Sequence, residues 1–311
     1  MWTEPRPRVV IAGEALIDLI IGADGTVNPA AGGGQYNAAR ALARLGGSVE
    51  FLGRMSDDWF GKLLRRKLEE DDVGTALVVD TSDPTTLVLA EIDEAGVAHY
   101  HWYIEQTTVP GLELADARRA LDPAPDALHV GTLGLAMEPI ADSLAALVAE
   151  VPESTFVMVD PNCRPTATPD FSRYQQRMRR VLSRADLVKG SDEDFEYLAL
   201  AGSPEATAEL LLGQGVGAVL VTQGGDVARG FCAGGEVSVP VPSVEVVDTV
   251  GAGDTFGGSF LAYWLERGLG RRELDDADLL EAAVAFAVQA AAINCTRAGA
   301  EPPTRAEMGL D

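Results

Sequence analysis

The chain has 311 residues, of which 47% are hydrophobic and 23% are charged, and this globular composition excludes disordered, collagen-like and coiled-coil proteins. Its 24 Lys and Arg residues stand against 48 Asp and Glu residues, which gives a formal net charge of −24. A protein of this charge is repelled by nucleic acids and by anionic membrane surfaces, so we expect neither as a partner.

The cysteines and the first residues of the chain predict a cytoplasmic protein. Cys163, Cys232 and Cys295 lie far apart without CxxC spacing, which indicates reduced thiols instead of disulfides or a zinc site. The first apolar run is interrupted by Glu14 and Asp18 and has no signal-peptide cleavage pattern. We therefore expect a protein that is neither exported nor membrane-bound.

Strand and helix patterns alternate along most of the chain. Predicted strands are 8–13, 49–52, 77–79, 156–160, 187–189 and 218–222, and predicted helices are 37–45, 60–68, 140–148, 174–182, 206–212, 255–266 and 278–292. This alternation is typical of a parallel sheet that is covered by helices on both faces, so the predicted fold class is α/β.

Two excursions depart from this alternation. Residues 85–103 alternate with period two around a predicted turn at residues 94–96, which indicates an antiparallel hairpin. A second candidate strand pair flanks residues 23–25. We interpret the excursions, at about 15–31 and 84–107, as a small β-sheet lid on a single domain that spans residues 1–311.

The sharpest chemical signal is the segment DTVGAGDTF at 248–256, between a strand-like run at 244–247 and a predicted helix. Small residues at Gly251, Ala252 and Gly253 let successive backbone N–H groups converge on an anion, and the helix N-terminus adds its positive end. Asp254 would repel such an anion unless it has a chemical task, and accepting a proton from an attacking hydroxyl is one. The alternative is that Asp254 caps the helix.

Two common nucleotide motifs are excluded around this loop. A dinucleotide fingerprint needs an acidic residue about twenty positions further on, at the end of a second strand, and that stretch is still helix and turn. The chain also has no GxxxxGK[ST] sequence, which excludes the common P-loop.

A second glycine-rich segment, GGGQYNAA at 32–39, follows GEALID at 13–18. Glycines at a helix start permit close approach of a ligand, and Asn37 with Asp18 supplies the donors and acceptors that a polyhydroxy compound needs. The alternative is an ordinary helix start.

These segments carry a resemblance to a known family. DTVGAGDTFGGSF at 248–260 and GGGQYNAARALARLG at 32–46 closely resemble the two signatures of the PfkB, or ribokinase-like, carbohydrate kinases. Further matches at 53–61, 160–165, 221–224 and 296–300 extend the resemblance over almost the whole chain, and DPNCRP with SDEDFEYL is most similar to the fructokinase branch. The resemblance implies a ribokinase-like three-layer α/β/α sandwich with a mostly parallel central sheet and a β-sheet lid.

The resemblance also implies an activity and its residues. It implies ATP-dependent phosphorylation of a neutral, fructose-like sugar, with Asp254 as general base and the N–H groups of Gly251, Ala252 and Gly253 as anion hole. Arg164 is in addition a candidate for clamping the transferred phosphate. The implied sugar ligands are Asp18, Gly32, Gly33, Asn37, Tyr103 and Arg164, and the implied nucleotide ligands are Thr222, Gly224, Lys189 and Asn294.

Metal ions are implied at two places. Relatives carry the motif Asn-x-x-Glu near the Mg²⁺–phosphate site. In this chain the corresponding residues are Ser191 to Asp194. Asp194 is therefore expected to hold Mg²⁺ through water. Relatives often bind K⁺ beside the anion hole, which implies a K⁺ site at Asp248 and the Val250 carbonyl.

Alternatives remain for the substrate. An adenosine-type nucleoside kinase and a 2-keto-3-deoxygluconate kinase share the fold, and a non-catalytic sugar or nucleotide binder is a third possibility. Tyr103 is followed by Ile104 and Glu105 where sugar-acid kinases of the family have an arginine, so a neutral sugar is favoured unless Arg164 or a partner subunit supplies the cation. Apolar residues on both faces of the hairpin predict a homodimer through the lids.

Overall fold

The computed structural model describes residues 2, 4–22, 25–92 and 98–310. Its strands are β1 (Arg8–Ala12), β2 (Leu16–Ile21), β3 (Val27–Gly32), β4 (Ser48–Leu52), β5 (Arg54–Ser56), β6 (Val79–Thr81), β7 (Leu87–Ile92), β8 (Ala98–Tyr103), β9 (Ala127–Gly131), β10 (Phe156–Asp160), β11 (Leu187–Ser191), β12 (Ala218–Gln223), β13 (Val227–Cys232) and β14 (Gly235–Pro240). Its α-helices are α1 (Gly34–Arg44), α2 (Trp59–Glu70), α3 (Leu114–Ala117), α4 (Ile140–Glu150), α5 (Phe171–Leu182), α6 (Asp192–Leu198), α7 (Pro204–Gly213), α8 (Ala252–Glu266) and α9 (Ala277–Cys295).

The main sheet has eight strands in the order β14-β13-β12-β11-β10-β9-β1-β4. The pairs from β4 across to β12 are all parallel, and β13 and β14 close one edge as an antiparallel pair. The predicted fold class, with a mostly parallel central sheet, is therefore confirmed. The antiparallel edge and β9 were not among the predicted elements.

Helices cover both faces of this sheet. In β1, Val9 and Ile11 pack into the core on the side of α1, α2, α8 and α9, whereas Val10 and Ala12 pack on the side of α4 to α7. Burial of both faces explains why the parallel strands are continuously apolar instead of alternating.

The Ala-rich helix α9 packs against α8 and against β13 and β14. Among the helices that the structure describes, it alone is long and apolar enough to cross a membrane by length and composition, and 44% of its apolar window is buried inside the protein. Its packing against α8 and the sheet is that of a core helix.

A separate four-stranded sheet in the order β3-β2-β7-β8 forms the lid. The predicted hairpin is present as β7 and β8, whose turn lies outside the described residues, and β2 and β3 are the second excursion. Asp18 pairs with Val88, which pairs with Trp102, so these three side chains share one face of the sheet, called here the Asp18 face. Leu87 pairs with Tyr103 on the opposite face, called the Tyr103 face.

Two strand predictions are wrong. The run at 244–247 has no strand, because Val247 and Asp248 donate their N–H groups to Cys295 O instead of to a ladder, and Val246 and Val247 remain exposed. The strand predicted at 77–79 begins two residues later, at Val79. β-Branched composition alone does not distinguish an exposed extended segment from a strand.

Candidate active site

Polar side chains meet where the parallel strands end. The segments that follow β1, β9 and β10 lie at this edge, together with the first turns of α1 and α8. Ligands of open α/β sheets bind at such carboxyl edges. The position agrees with the two glycine-rich segments that the sequence analysis singled out.

Asp254 lies in the first turn of α8 and is held by two amides. Asn37 donates to Oδ2 at 2.9 Å, and Asn162 donates to Oδ1 at 3.2 Å. Burial raises the pKa of Asp254, against the Asn37 hydrogen bond and the positive charges of Lys189 and Arg164, which lower it. The residue that caps α8 is Gly251, so Asp254 does not cap the helix and its hydrogen bonds run to other elements.

The loop before α8 has the compact shape of an anion cradle. Gly251 has φ of 74°, a conformation that favours glycine, and a Cβ there would lie 2.4 Å from Ala300 Cβ. The positive N-terminus of α8 begins at the next residue, Ala252. Ala252 donates its own N–H to Thr249 O at 3.2 Å, so of the three predicted donors this one is engaged within the loop.

Lys189 reaches the cradle from β11. Its Nζ lies 3.0 Å from the position that a Cβ on Gly253 would take, and it is paired with Asp160 Oδ2 at 2.8 Å. Burial raises the pKa of Asp160 to about 6 even though Lys189 lowers it. Burial opposes the charge on Lys189 as well, but the carboxylates of Asp160, Asp194 and Asp254 raise its pKa overall. The site therefore has a charged ammonium group beside the glycine loop.

The predicted sugar ligands from the first glycine-rich segment also converge. Burial raises the pKa of Asp18 to about 6, while Arg164 lowers it and Asp254 raises it, so the two carboxylates and the guanidinium act on one another. A Cβ on Gly32 would lie 2.3 Å from Asp18 Oδ2, and Gly33 has φ of 112°. The structure thus brings Asp18, Gly32, Gly33, Asn37 and Arg164 to the vicinity of Asp254.

Tyr103 is the predicted sugar ligand that the structure places elsewhere. It is 57% exposed and lies on the face of the lid opposite Asp18. Trp102 occupies the row of Asp18, and its Nε1 donates to Thr166 Oγ1 at 3.0 Å. An aromatic residue one position before the predicted ligand therefore lies on the Asp18 face, because neighbouring residues of a strand point to opposite faces.

A cavity of about 460 Å³ lies next to the glycine loop. Thr222 and Gly224, two of the implied nucleotide ligands, line it together with Gly253 of the glycine loop. Its largely apolar walls are formed by Val227, Ala228, Val241, Val244, Val246, Phe256, Val288, Ala291 and Ala292.

Asn294 does not line this cavity, in contrast to its prediction beside the nucleotide base. Its side chain is fully buried, and Nδ2 donates to Val250 O at 2.9 Å. Ala291, Ala292 and Cys295 of the same helix form the wall instead, because the cavity faces another side of α9. Through this hydrogen bond, Asn294 holds the Val250 carbonyl at the start of the glycine loop.

The residues predicted to hold metal ions have protein partners. Asp194 accepts hydrogen bonds from Ser191 N, Ser191 Oγ and Cys163 N, as part of a capping box on α6. Asp248 accepts from Val250 N and from Gly299 N, so it joins the glycine loop to the C-terminal loop. Within the described parts of the chain, no group of three or more His, Cys, Asp or Glu residues could hold a metal ion.

Two residues of the site carried no predicted role. Asn162 has a positive φ of 37° and donates to Asp254, whereas the DPNCRP segment had suggested only Arg164. Glu14 is fully buried and accepts from Gly34 N at 2.6 Å and from Gly134 N at 3.2 Å. A local signal existed only for Asn162, since asparagine tolerates left-handed backbone and follows a proline just after the end of β10.

Known proteins resemble this chain over most of its length. The family model described as "pfkB family carbohydrate kinase" matches residues 6–307. A fructokinase of Rhizobium leguminosarum bv. trifolii is 35% identical over 259 residues, which are 82% of this chain and 78% of the relative.

Two solved structures are similar over nearly the whole chain. A fructokinase with bound ATP from Xylella fastidiosa is 27% identical with a TM-score of 0.89, covering 97% of this chain and 96% of that one. A double-mutant fructokinase from Vibrio cholerae O395, with fructose, ADP and potassium ion bound, is 26% identical with a TM-score of 0.86, covering 99% and 98%.

Proposed function

Because the chain belongs to the pfkB family of carbohydrate kinases and is a sugar phosphotransferase, we propose that it transfers the γ-phosphate of ATP to a hydroxyl of fructose or a similar ketose. The observation that carries this proposal is Asp254, held by two amides beside the glycine loop and facing the charge of Lys189. A screen of ADP release over neutral sugars, sugar acids and nucleosides tests it.

The chain's own residues perform three tasks in this reaction. Asp254 accepts the proton of the sugar hydroxyl as its oxygen bonds to phosphorus, while the bond between phosphorus and the ADP oxygen breaks. Asn37 and Asn162 fix the orientation of Asp254. Lys189 and the N-terminus of α8 stabilise the negative charge that develops on the transferred group. When bound, ATP supplies the phosphoryl group and Mg²⁺ neutralises its charge.

The 460 Å³ cavity is the proposed nucleotide site. Its apolar walls suit a purine base, and Thr222 and Gly224, which also line it, are proposed to border the phosphates. Asp194 would hold Mg²⁺ through water, since its oxygens already accept protein hydrogen bonds. Asp248 and the Val250 carbonyl remain a proposed K⁺ site, although that carbonyl also accepts from Asn294.

Asp18 is proposed to accept a hydrogen bond from a sugar hydroxyl. Asp18→Ala should raise KM for the sugar by about 5- to 150-fold, because a buried hydroxyl without its partner costs about 1–3 kcal/mol. KM for ATP should change little. Initial rates at varied sugar and varied ATP measure both values. Glu91→Ala is the matched control, since Glu91 is an exposed carboxylate in the neighbouring lid strand. Equal increases in both KM values would contradict the assignment.

A neutral sugar remains the proposed substrate in preference to a sugar acid. Glu105 is exposed, so it does not supply the charge that would repel a carboxylate in the site. Arg164 does act on Asp18 and Asp254, but its charge is opposed by those two carboxylates. A sugar acid would add a further negative charge to this set. The screen therefore compares fructose with 2-keto-3-deoxygluconate, and with adenosine and inosine for the nucleoside alternative.

We also propose that two chains associate through the Tyr103 face of the lid. Tyr103 and Val27 are 57% and 53% exposed on this face, beside half-buried Leu89. Among the residues that the structure describes, no further strand pairs with the edge strands β3 and β8. A second copy would bury the face and protect the edges.

The dimer is testable with a pair of matched variants. The unmodified chain should sediment as a dimer at micromolar concentration, and Tyr103→Glu should sediment as a monomer, because a buried unpaired charge opposes association. Tyr100→Glu is the control, since Tyr100 is 55% exposed on the other face of the same strand. A monomeric unmodified chain, or equal dissociation of both variants, would contradict the proposal.

A cytoplasmic location is proposed from the cysteines. Cys163 and Cys232 are buried, Cys295 is partly buried, and all three are free thiols. Burial raises the pKa of Cys163 to about 12, so this thiol resists ionisation and oxidation.

A further inference from the structure

Glu14 is a fully buried carboxylate that joins two separate segments of the site. It lies between β1 and β2, and its side chain is 0% exposed. Oε1 accepts the N–H of Gly34 at 2.6 Å, and Oε2 accepts the N–H of Gly134 at 3.2 Å. Gly34 begins α1, whereas Gly134 lies in the 3₁₀ turn that follows β9. One side chain therefore bridges two elements that are distant in sequence.

The start of α1 needs this acceptor. Its N-cap residue, Gly33, has no side chain to accept a hydrogen bond from the first turn. A Cβ at this position would lie 2.6 Å from the carbonyl oxygen of Glu14, so a serine or aspartate cap does not fit. Glu14 supplies the missing acceptor from another segment, and its charge is favourable at the positive end of the helix.

The turn after β9 is held in an unfavourable conformation. Thr132 has φ of 45°, which is rare for a β-branched residue, and its Oγ1 has no hydrogen-bond partner. Strained backbone persists only where the surrounding structure holds it. The hydrogen bond from Gly134 to Glu14, two residues further on, is such a restraint.

The Gly34 end of the bridge lies close to Asp254 and to the turn that contains Gly134. A Cβ on Gly34 would lie 2.5 Å from Thr132 Oγ1 and 3.2 Å from each of Asn162 Nδ2 and Asp254 Oδ1. The first residue of α1 therefore lies close to both the strained turn and the proposed base. The same first turn of α1 carries Asn37, which holds the other oxygen of Asp254.

We propose that Glu14 is a positioning residue whose ionised carboxylate fixes the start of α1 against the turn after β9, and thereby places Asn37 and Asp254 for proton transfer. The proposal rests on the role of Asp254 in the proposed function. Glu14 itself does not touch the reacting atoms. A neutral side chain at this position accepts poorly from two N–H groups at once, so the bridge is complete only when Glu14 is charged.

The charge of Glu14 changes within the ordinary range of pH. Burial raises its pKa to about 7, the N–H groups of Glu14 itself, Gly34 and Gly134 lower it, and the negative charge of Asp254 raises it. The segments in hydrogen-bond contact with the carboxylate, the start of α1 and the turn after β9, contribute these backbone donors. Glu14 is therefore charged above about pH 7, and it becomes neutral as the pH falls through that value.

The bridge can be observed directly by NMR on protein labelled with ¹⁵N-glycine. In the unmodified chain, the amide signals of Gly34 and Gly134 should titrate together near pH 7. In Glu14→Gln these transitions should be absent. Titration in the variant, or no titration in the unmodified chain, would overturn the bridge. This measurement needs no substrate, so it stands whatever the sugar screen shows.

The consequence for catalysis is measured separately. For the unmodified chain, kcat/KM for the sugar should rise with pH through an ionisation near 7 in addition to the ionisation of Asp254, and Glu14→Gln should lose the ionisation near 7 and keep that of Asp254. Its kcat/KM at pH 8 should be about tenfold lower, because small displacements of reacting groups cost this much or more. Asp186→Asn is the control. Asp186 is also a buried carboxylate that accepts a backbone N–H, from Val157, but it lies at the opposite edge of the sheet.

The control separates positioning from general stability. Asp186→Asn should lower the unfolding temperature but keep the ionisation near pH 7. Loss of that ionisation in Asp186→Asn, or its retention in Glu14→Gln, would overturn the proposal. If Glu14→Gln does not fold, Asp254→Asn keeps the proposal testable. Removing the negative charge of Asp254 should shift the Gly34 and Gly134 titrations to lower pH, and unshifted titrations would overturn it.

Discussion

Asp254→Asn is expected to lower kcat by about two to four orders of magnitude, the contribution of a positioned general base. The substitution keeps the size of the side chain and a polar group that can bond to Asn37 and Asn162, but it removes the proton acceptor. KM for the sugar should therefore change little. Steady-state ADP release at saturating sugar and ATP measures the loss.

A matched variant controls for general effects of the substitution. Asp276→Asn changes a carboxylate that caps α9, at the end of that helix remote from the nucleotide cavity, and it should retain its turnover. More than a tenth of the original kcat in Asp254→Asn would remove this residue from the role of base. Asp254 has a raised pKa, so the unmodified enzyme should also lose activity as falling pH protonates it.

Lys189→Met is expected to have the second large effect, on both activity and stability. The ammonium is the buried cation beside the glycine loop, and removing such a stabilising group costs about 10²- to 10³-fold in kcat. The substitution also leaves Asp160 buried without its partner, which costs about 3–5 kcal/mol in the free energy of unfolding. Urea unfolding and steady-state kinetics measure the two losses.

A double variant separates these two effects. In Asp160→Asn/Lys189→Met no unpaired charge remains, so most of the lost stability should return, because neutral replacement of a buried ion pair is often tolerated. The kcat should stay low, since the cation is still missing. Recovery of activity together with stability would show that Lys189 supports the fold and does not act on the phosphate.

Much of the fold was predictable because its signals are local. Apolar runs gave most of the strands of the parallel sheet, and glycine-rich segments before helical patterns located α1 and α8, although both helices begin three residues earlier than predicted. The glycine loop and Asp254 were also singled out from sequence, since a carboxylate beside a loop that suits an anion repels that anion unless it has a further role.

The features that were missed depend on contacts between distant segments. Nothing near Glu14 shows that it accepts from Gly34 and Gly134, because both donors are backbone groups elsewhere in the chain. The assignment of Tyr103 failed for a related reason. Whether Trp102 or Tyr103 faces the site depends on the pairing register of the lid, and a shift of one residue exchanges the faces.

The alternation of side chains in the lid separates two surfaces that share the same strands. Asp18, Val88 and Trp102 lie on one face of the lid, while Leu87 and Tyr103, immediate neighbours of two of them in sequence, lie on the other. Substitutions on one surface leave the other unchanged so long as the register is kept. The proposed sugar contacts and the proposed subunit contact can therefore diverge independently during evolution. A designer can likewise change the two surfaces separately within the same six-residue strands.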